Sequence, residues 1–146
     1  MRRPPFARIA LGLGLMTLAC ASSPKPSADA TQKAMSSAAA RMEGGWTLVE
    51  FQPAQPLEPM LQNLLNAQLN QLTVTFHAGT MSVQGVGVDA ERAFNVTTAA
   101  NDEFSATLTD PTNVVYQVNA IFDGPDVDFT SVTDPWRGRG KLRRAR

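Results

Sequence analysis

The run VVYQVNAIF, residues 114–122, is the longest β-type stretch in the chain, and its reading decides the fold. Val114, Tyr116, Val118, Ala120 and Phe122 alternate with Val115, Gln117, Asn119 and Ile121. A period of two sends the first set to one face of a sheet, predicted to be the inner one. Turn residues bound the run on both sides, Asp110-Pro111-Thr112-Asn113 before it and Asp123-Gly124-Pro125 after it. Beyond the second turn, Val127 and Phe129 alternate with Asp126 and Asp128, and a last strand is predicted over 138–143. Before the first turn, Phe104, Ala106 and Leu108 share a face, Asn101-Asp102 turns the chain, and 94–98 forms another strand. Earlier still, Leu72, Val74 and Phe76 alternate with Thr73, Thr75 and His77. Ala78-Gly79 then turns the chain into a returning strand over 80–85.

Further toward the N-terminus the period changes. Leu57, Leu61, Leu64, Leu65, Leu69 and Leu72 fall on one helical face, with Gln62, Asn63, Asn66, Gln68 and Asn70 opposite. This predicts an amphipathic helix over 57–70, with Pro59 in its first turn, where proline is tolerated. The helix follows a first strand, GWTLVEF at 45–51, which Pro53, Pro56 and Pro59 close off. Short strands repeating at about ten residues and joined by tight turns indicate an all-β sandwich or barrel. Successive hairpins favour a small antiparallel up-and-down β-barrel, a mainly β fold with one helix after the first strand. Closure removes the exposed edges that an open sheet would present.

Charge divides the chain. Between Gly44 and Pro135 there are eleven acidic residues and one basic residue, Arg92. After Trp136 come Arg137, Arg139, Lys141, Arg143, Arg144 and Arg146 without an acid, and Arg2, Arg3 and Arg8 precede residue 20. The formal net charge of zero therefore conceals an acidic body with a basic end. Cys20 is the one cysteine of the sequence, so no intrachain disulfide and no thiolate zinc cluster can form within it.

Residues 1–19 have the layout of a secretory signal peptide: a positive start, an apolar run IALGLGLMTL at 9–18, then small residues. The apolar run is about ten residues, too short to span roughly 30 Å of hydrocarbon as a helix. Two cleavage sites fit. Thr17-Leu18-Ala19-Cys20 permits cleavage before Cys20, and Ala19-Cys20-Ala21 is an A-x-A site whose cleavage would release a soluble protein. The Arg2-Arg3 pair hints at twin-arginine export, although prolines follow it. Residues 20–43, rich in Ala, Ser, Pro and Lys, are expected to form a flexible spacer of roughly 25–30 Å. Weak helicity is expected within it over 31–42. Residues 44–146 are expected to form the single folded domain.

Two resemblances add to this reading. Residues 1–20 resemble bacterial lipoprotein precursors, whose lipobox ends in an invariant cysteine; the residue three places before it, preferably leucine in that family, is Thr17 here. The resemblance implies diacylglycerylation of Cys20, cleavage before it and acylation of the new amino group, by palmitate or a similar chain. With about 0.8 kcal/mol per buried CH₂, two or three chains make release from the bilayer negligible. Ala21 after the cysteine implies the outer membrane, facing the periplasm. The second resemblance rests on Gly44-Gly45-Trp46, which is similar to the G-x-W opening of lipocalins and fatty-acid-binding proteins, the calycins. It implies a barrel with a ligand cavity, and an arginine, Arg137 or Arg139, packed over Trp46. The lipocalin T-D-Y pattern is not matched; Thr133-Asp134-Pro135-Trp136 is an echo of it.

No catalytic constellation emerges, and a non-enzymatic role is expected. His77, the sole histidine, sits at a strand end before a glycine turn and reads as an exposed turn residue rather than a general base. Asp123, Asp126, Asp128 and Asp134 lack the spacing of a calcium loop, and no metal or cofactor is expected. Asn95-Val96-Thr97 matches a glycosylation sequon that carries no information in a bacterial setting. Trp46, Phe76, Phe104, Tyr116, Phe122 and Phe129 are both the core such a domain requires and the candidate lining of a cavity for a small apolar ligand. Arg137, Arg139, Lys141 and Arg143 share one strand face. They are candidates for contact with anionic headgroups or an envelope protein, or else a solvated face that balances the acidic body. Export argues against nucleic acid. The sequence thus leads to a membrane-anchored envelope lipoprotein with a binding role. The alternative is a structural or protein-interaction lipoprotein with a filled barrel.

Overall fold

The computed structural model describes residues 24–146; the expected signal peptide, lipobox and Cys20 lie outside the described residues. Eight antiparallel strands, each hydrogen-bonded to the next, close into a barrel: β1 (Gly44–Pro53), β2 (Thr73–His77), β3 (Thr80–Gly85), β4 (Val88–Ala100), β5 (Glu103–Thr109), β6 (Val115–Asp123), β7 (Asp126–Ser131) and β8 (Gly138–Arg144). Closure is made by β8 on β1, from Trp46 opposite Arg144 to Pro53 opposite Gly138. Helix α1 (Ala28–Met42) precedes the barrel, and α2 (Pro59–Gln68) lies between β1 and β2. The up-and-down order and the helix after the first strand match the sequence reading.

The strands obey the period of two, with two resets. Strict alternation from Trp46 and Leu48 would point Glu50 inward. A bulge between Leu48 and Glu50 adds one residue, so Glu50 stays exposed and Phe51 turns inward. A second bulge between Val96 and Thr98 does the same for Ala99, which faces Phe104. One inward row then runs Phe104, Ala120, Phe129, Gly140, Phe51 across five strands, alternating large and small. Gly140 is fixed by this packing, because a Cβ there would lie 2.4 Å from the Phe129 ring and 2.9 Å from the Glu50 carbonyl oxygen.

One departure from expectation is α1. The segment 28–42 is not a spacer but a 15-residue helix docked on the barrel, so the folded unit begins well before residue 44. Ser27 caps it by accepting from the Ala30 N–H at 3.2 Å. Met35, Ala38, Ala39 and Met42 make an i, i+3, i+4, i+7 stripe packed on the core, with Ala38 and Met42 buried. The stripe is half alanine, which is why it does not read as an apolar face. Arg41 stacks over the Phe122 ring at 3.7 Å and pairs with Asp102 at 3.0 Å. Arg144 stacks over Trp46 at 4.2 Å while its guanidinium donates to the carbonyls of Arg41 and Glu43 at the end of α1. The arginine over the tryptophan is therefore Arg144, not Arg137 or Arg139. It follows from register, since Arg144 is the residue opposite Trp46 on β8.

The barrel has a floor and a mouth. The floor is the end covered by α1, where the turns at Ala78-Gly79, Asn101-Asp102 and Gly124-Pro125 lie. The first of these takes two left-handed residues, Ala78 at φ 48° and Gly79 at φ 77°, as a tight hairpin requires. The mouth is the end bordered by α2, the β3–β4 turn, and the loops before β6 and β8.

Two predictions concern closure. Gly140→Ala forces the Phe129 ring and the β1 backbone to move and should lower stability by about 1–3 kcal/mol, read as a fall in the urea midpoint. Asp126 is buried and accepts two hydrogen bonds from Arg143, both 3.0 Å. These bonds hold its carboxyl below the usual carboxylate range despite its burial. A carboxyl lowered in the folded state stabilises above its unfolded pKa, about 3.9, and loses that contribution as pH falls through the folded value. Asp126→Asn should therefore be less stable than the parent at pH 7, with the gap narrowing at pH 3. An equal gap in urea melts at both pH values would rule out the ion pair as its source.

Candidate functional site

The barrel is not filled. Inside it is an apolar cavity of about 340 Å³. That is near the lower end of the roughly 300–1,000 Å³ common for small-molecule sites. Inward side chains from all eight strands line it, and Leu64, Leu65 and Gln68 of α2 border it. Phe76 and Phe94 meet edge to face with centroids 4.8 Å apart, and Phe51 and Phe129 stack at 6.2 Å. Trp136, in the loop before β8, packs its edge on Phe51 at 6.5 Å and lines the cavity from the mouth.

Of the aromatics predicted to line a ligand site, Phe76, Phe104, Tyr116 and Phe129 do so. Trp46 and Phe122 do not. Trp46 is 2% exposed, its Nε1 donates to the Met42 carbonyl at 2.8 Å, and Arg144 covers its other side. Phe122 lies under Arg41. Both are covered from the α1 side, Trp46 by Arg144 and the Met42 carbonyl and Phe122 by Arg41. Val114, predicted inward, lies in the loop before β6 and is 45% exposed. It joins Met60, Leu64, Val86 and Val132, which are exposed apolar residues at the same mouth.

Gln68 is placed by its sequence on the outer face of the helix but is buried. Its Nε2 donates to the Val86 carbonyl at 2.7 Å and its Oε1 accepts from the Val86 N–H at 3.1 Å. It thereby supplies the two backbone groups of the β3–β4 turn and ties α2 across the mouth. Gly85 makes room for it, since a Cβ there would stand 2.1 Å from the Gln68 Oε1.

Arg92 is the residue that sequence reasoning passed over. It faces inward on β4 between Ala90 and Phe94, opposite the buried Met81, and it lines the cavity. Its guanidinium lies 5.2 Å from the centroid of the Tyr116 ring. The signal was present: Val88, Ala90, Phe94 and Val96 are apolar at alternate positions, and Arg92 interrupts them.

The basic strand is largely engaged by the barrel itself. Arg143 pairs with Asp126 at 3.0 Å, Lys141 with Asp128 at 3.4 Å, and Arg137, in the loop before β8, with Asp134 at 3.4 Å. Arg139 is exposed beside an outer groove. The face thus balances the acids of β7 and its following loop. His77 is exposed at its strand end, 3.3 Å from Glu43. Among the described residues, no cluster of three or more His, Cys, Asp or Glu could hold a metal, and no helix is long and apolar enough to cross a membrane.

This geometry stands without a relative to interpret it by. Comparison with protein-family models, with curated proteins and with solved structures finds no match.

Proposed function

We propose that the chain is an exported envelope lipoprotein, held in the bilayer through acylated Cys20, whose barrel is a non-enzymatic binding module for a small apolar ligand. The observation that carries the binding role is the cavity. A closed eight-stranded barrel is narrow enough for side chains to fill completely, yet this one keeps about 340 Å³ of apolar space. Alanines contribute to that space: Ala90, Ala106 and Ala120 face it where larger residues would close it. Exposed apolar residues gather at the mouth, which suits the passage of an apolar molecule. The cavity favours this reading over a filled barrel with a purely structural or protein-interaction role. The anchor rests on the sequence of residues 17–20.

Native mass spectrometry of residues 24–146 should detect an added mass of a few hundred daltons that is lost on denaturation. A neutral solvatochromic dye should bind the parent and lose most of its affinity in Ala90→Phe, which places a ring in the cavity. Dye binding that is absent, or unchanged by the ring, would remove the carrier reading. Separately, Cys20→Ala in the full chain should move the protein from the membrane to the soluble fraction.

A further inference from the structure

We infer that the cavity takes an apolar molecule with a single anionic head, and that Arg92, seated against Tyr116, receives that head. This deepens the carrier reading above and depends on it.

The case starts from a conflict within β4. Its inward positions build an apolar wall, and an arginine in that wall needs compensation, because a charge removed from water without a partner is costly. Arginine cannot relieve the conflict by losing its proton. In a filled core the compensation would be a carboxylate. Here it is not. Among the described residues, the five ion pairs all lie elsewhere, and no carboxylate oxygen comes within ion-pair distance of Arg92. The acid that feels its charge is Asp110, at the mouth. Asp110 Oδ1 is taken up in its own turn, accepting from the Thr112 hydroxyl at 2.7 Å and from the Thr112 and Val114 N–H groups at 2.9 and 3.0 Å.

Among the described residues no acceptor takes the Arg92 donors, and the side chain lies half-buried at the side of a mainly apolar space. The Tyr116 ring backs the guanidinium through its π face, an arrangement that leaves the donors available. Most of the remaining lining is hydrocarbon, Phe94, Met81, Phe76 and Phe104 among it, with Gln68 and Ser131 as neutral polar neighbours. One cation in a mainly apolar enclosure selects a ligand of matching polarity. Its tail is buried among the apolar side chains and its head is held at Arg92. A carboxylate, sulfate or phosphate monoester head would serve equally, since each accepts paired hydrogen bonds from a guanidinium.

The test compares decanoate, decyl sulfate and decanol in displacing the neutral dye from residues 24–146. Both anions should bind at least about tenfold more tightly than the alcohol. Preference for decanoate alone also supports the inference and narrows the head to a carboxylate. Arg92→Met should erase the preference, read as the ratio of anion to decanol affinity within that variant, and Arg92→Lys should keep part of it. Equal affinity for all three ligands in the parent, or a preference that survives in Arg92→Met, overturns the role of Arg92 while leaving the carrier reading intact. Failure of the dye and the alcohol to bind at all overturns the carrier reading and this inference with it.

Discussion

The ladder between β1 and β8 is the constraint on which the rest of the molecule depends. Without it the sheet has two exposed edges and no interior. With it, eight strands enclose a space whose width is set by strand number and tilt. The ladder forms where β8 brings glycine to inward positions. Gly138 and Gly140 let the β1 backbone and the rings of Phe51 and Phe129 come closer than a Cβ would permit. Two outward residues of the same strand, Lys141 and Arg143, pair with Asp128 and Asp126 on β7. One strand therefore solves two problems by alternation, small on the inside for approach and charged on the outside for registry. The acidic body and basic end of the sequence become a local charge balance on adjacent strands.

Closure also settles how the two ends differ. At the floor, α1 lies across the opening, and two arginines from opposite ends of the chain secure it. Arg41 reaches from the helix to Phe122 and Asp102, and Arg144 reaches from β8 to Trp46 and the last carbonyls of the helix. These contacts leave Trp46 with almost no exposure. At the mouth no equivalent plug is present among the described residues. Helix α2 is tied to one turn by Gln68, and the rim includes the exposed apolar side chains Met60, Val86, Val114 and Val132. The cavity is bordered by Leu64, Leu65 and Gln68 of α2 and by Met42 at the end of α1.

The strands and α2 were legible because each carries its own period. Thr73–His77 and Val115–Asp123 alternate without fault, and Leu61, Leu65 and Leu69 mark one helical face. The two bulges were not legible, since a reset of phase at Val49 or Thr97 answers to what the partner strand presents rather than to local composition. Helix α1 was missed for a different reason. Its buried stripe is built from alanine and methionine, and small side chains bury little area each, so the helix is held by the surface it covers more than by its own pattern. Gln68 defeats a polarity argument in the same manner: its amide is buried because the Val86 backbone matches it group for group. The site was half legible. Phe76, Phe104 and Tyr116 follow from alternation, but whether an inward aromatic meets the cavity or is covered from outside it is not encoded in the strand pattern. Trp46 and Phe122 are covered by Arg144 and Arg41, whereas Phe76 and Phe104 border the cavity.

Arg92 shows how a break in pattern becomes informative only after the fold is known. In the sequence it is one basic residue in a loosely patterned stretch. Once β4 is placed, it is an inward charge opposite Met81, backed by a tyrosine ring and, among the described residues, without a carboxylate at ion-pair distance. A residue that violates the burial rule of its strand must be offset by something, and each possible compensation leaves a trace. A structural role would leave an acid beside it, as Asp126 lies beside Arg143 on the outer face. Burial by neighbours would leave no free space next to it. Among the described residues neither trace is present: no carboxylate lies within ion-pair distance of Arg92, Asp110 being taken up in its own turn, and the cavity adjoins the guanidinium. What remains is the compensation proposed above, an anionic head in the bound protein. On this argument the apolar volume and the lone inward charge are two parts of one site.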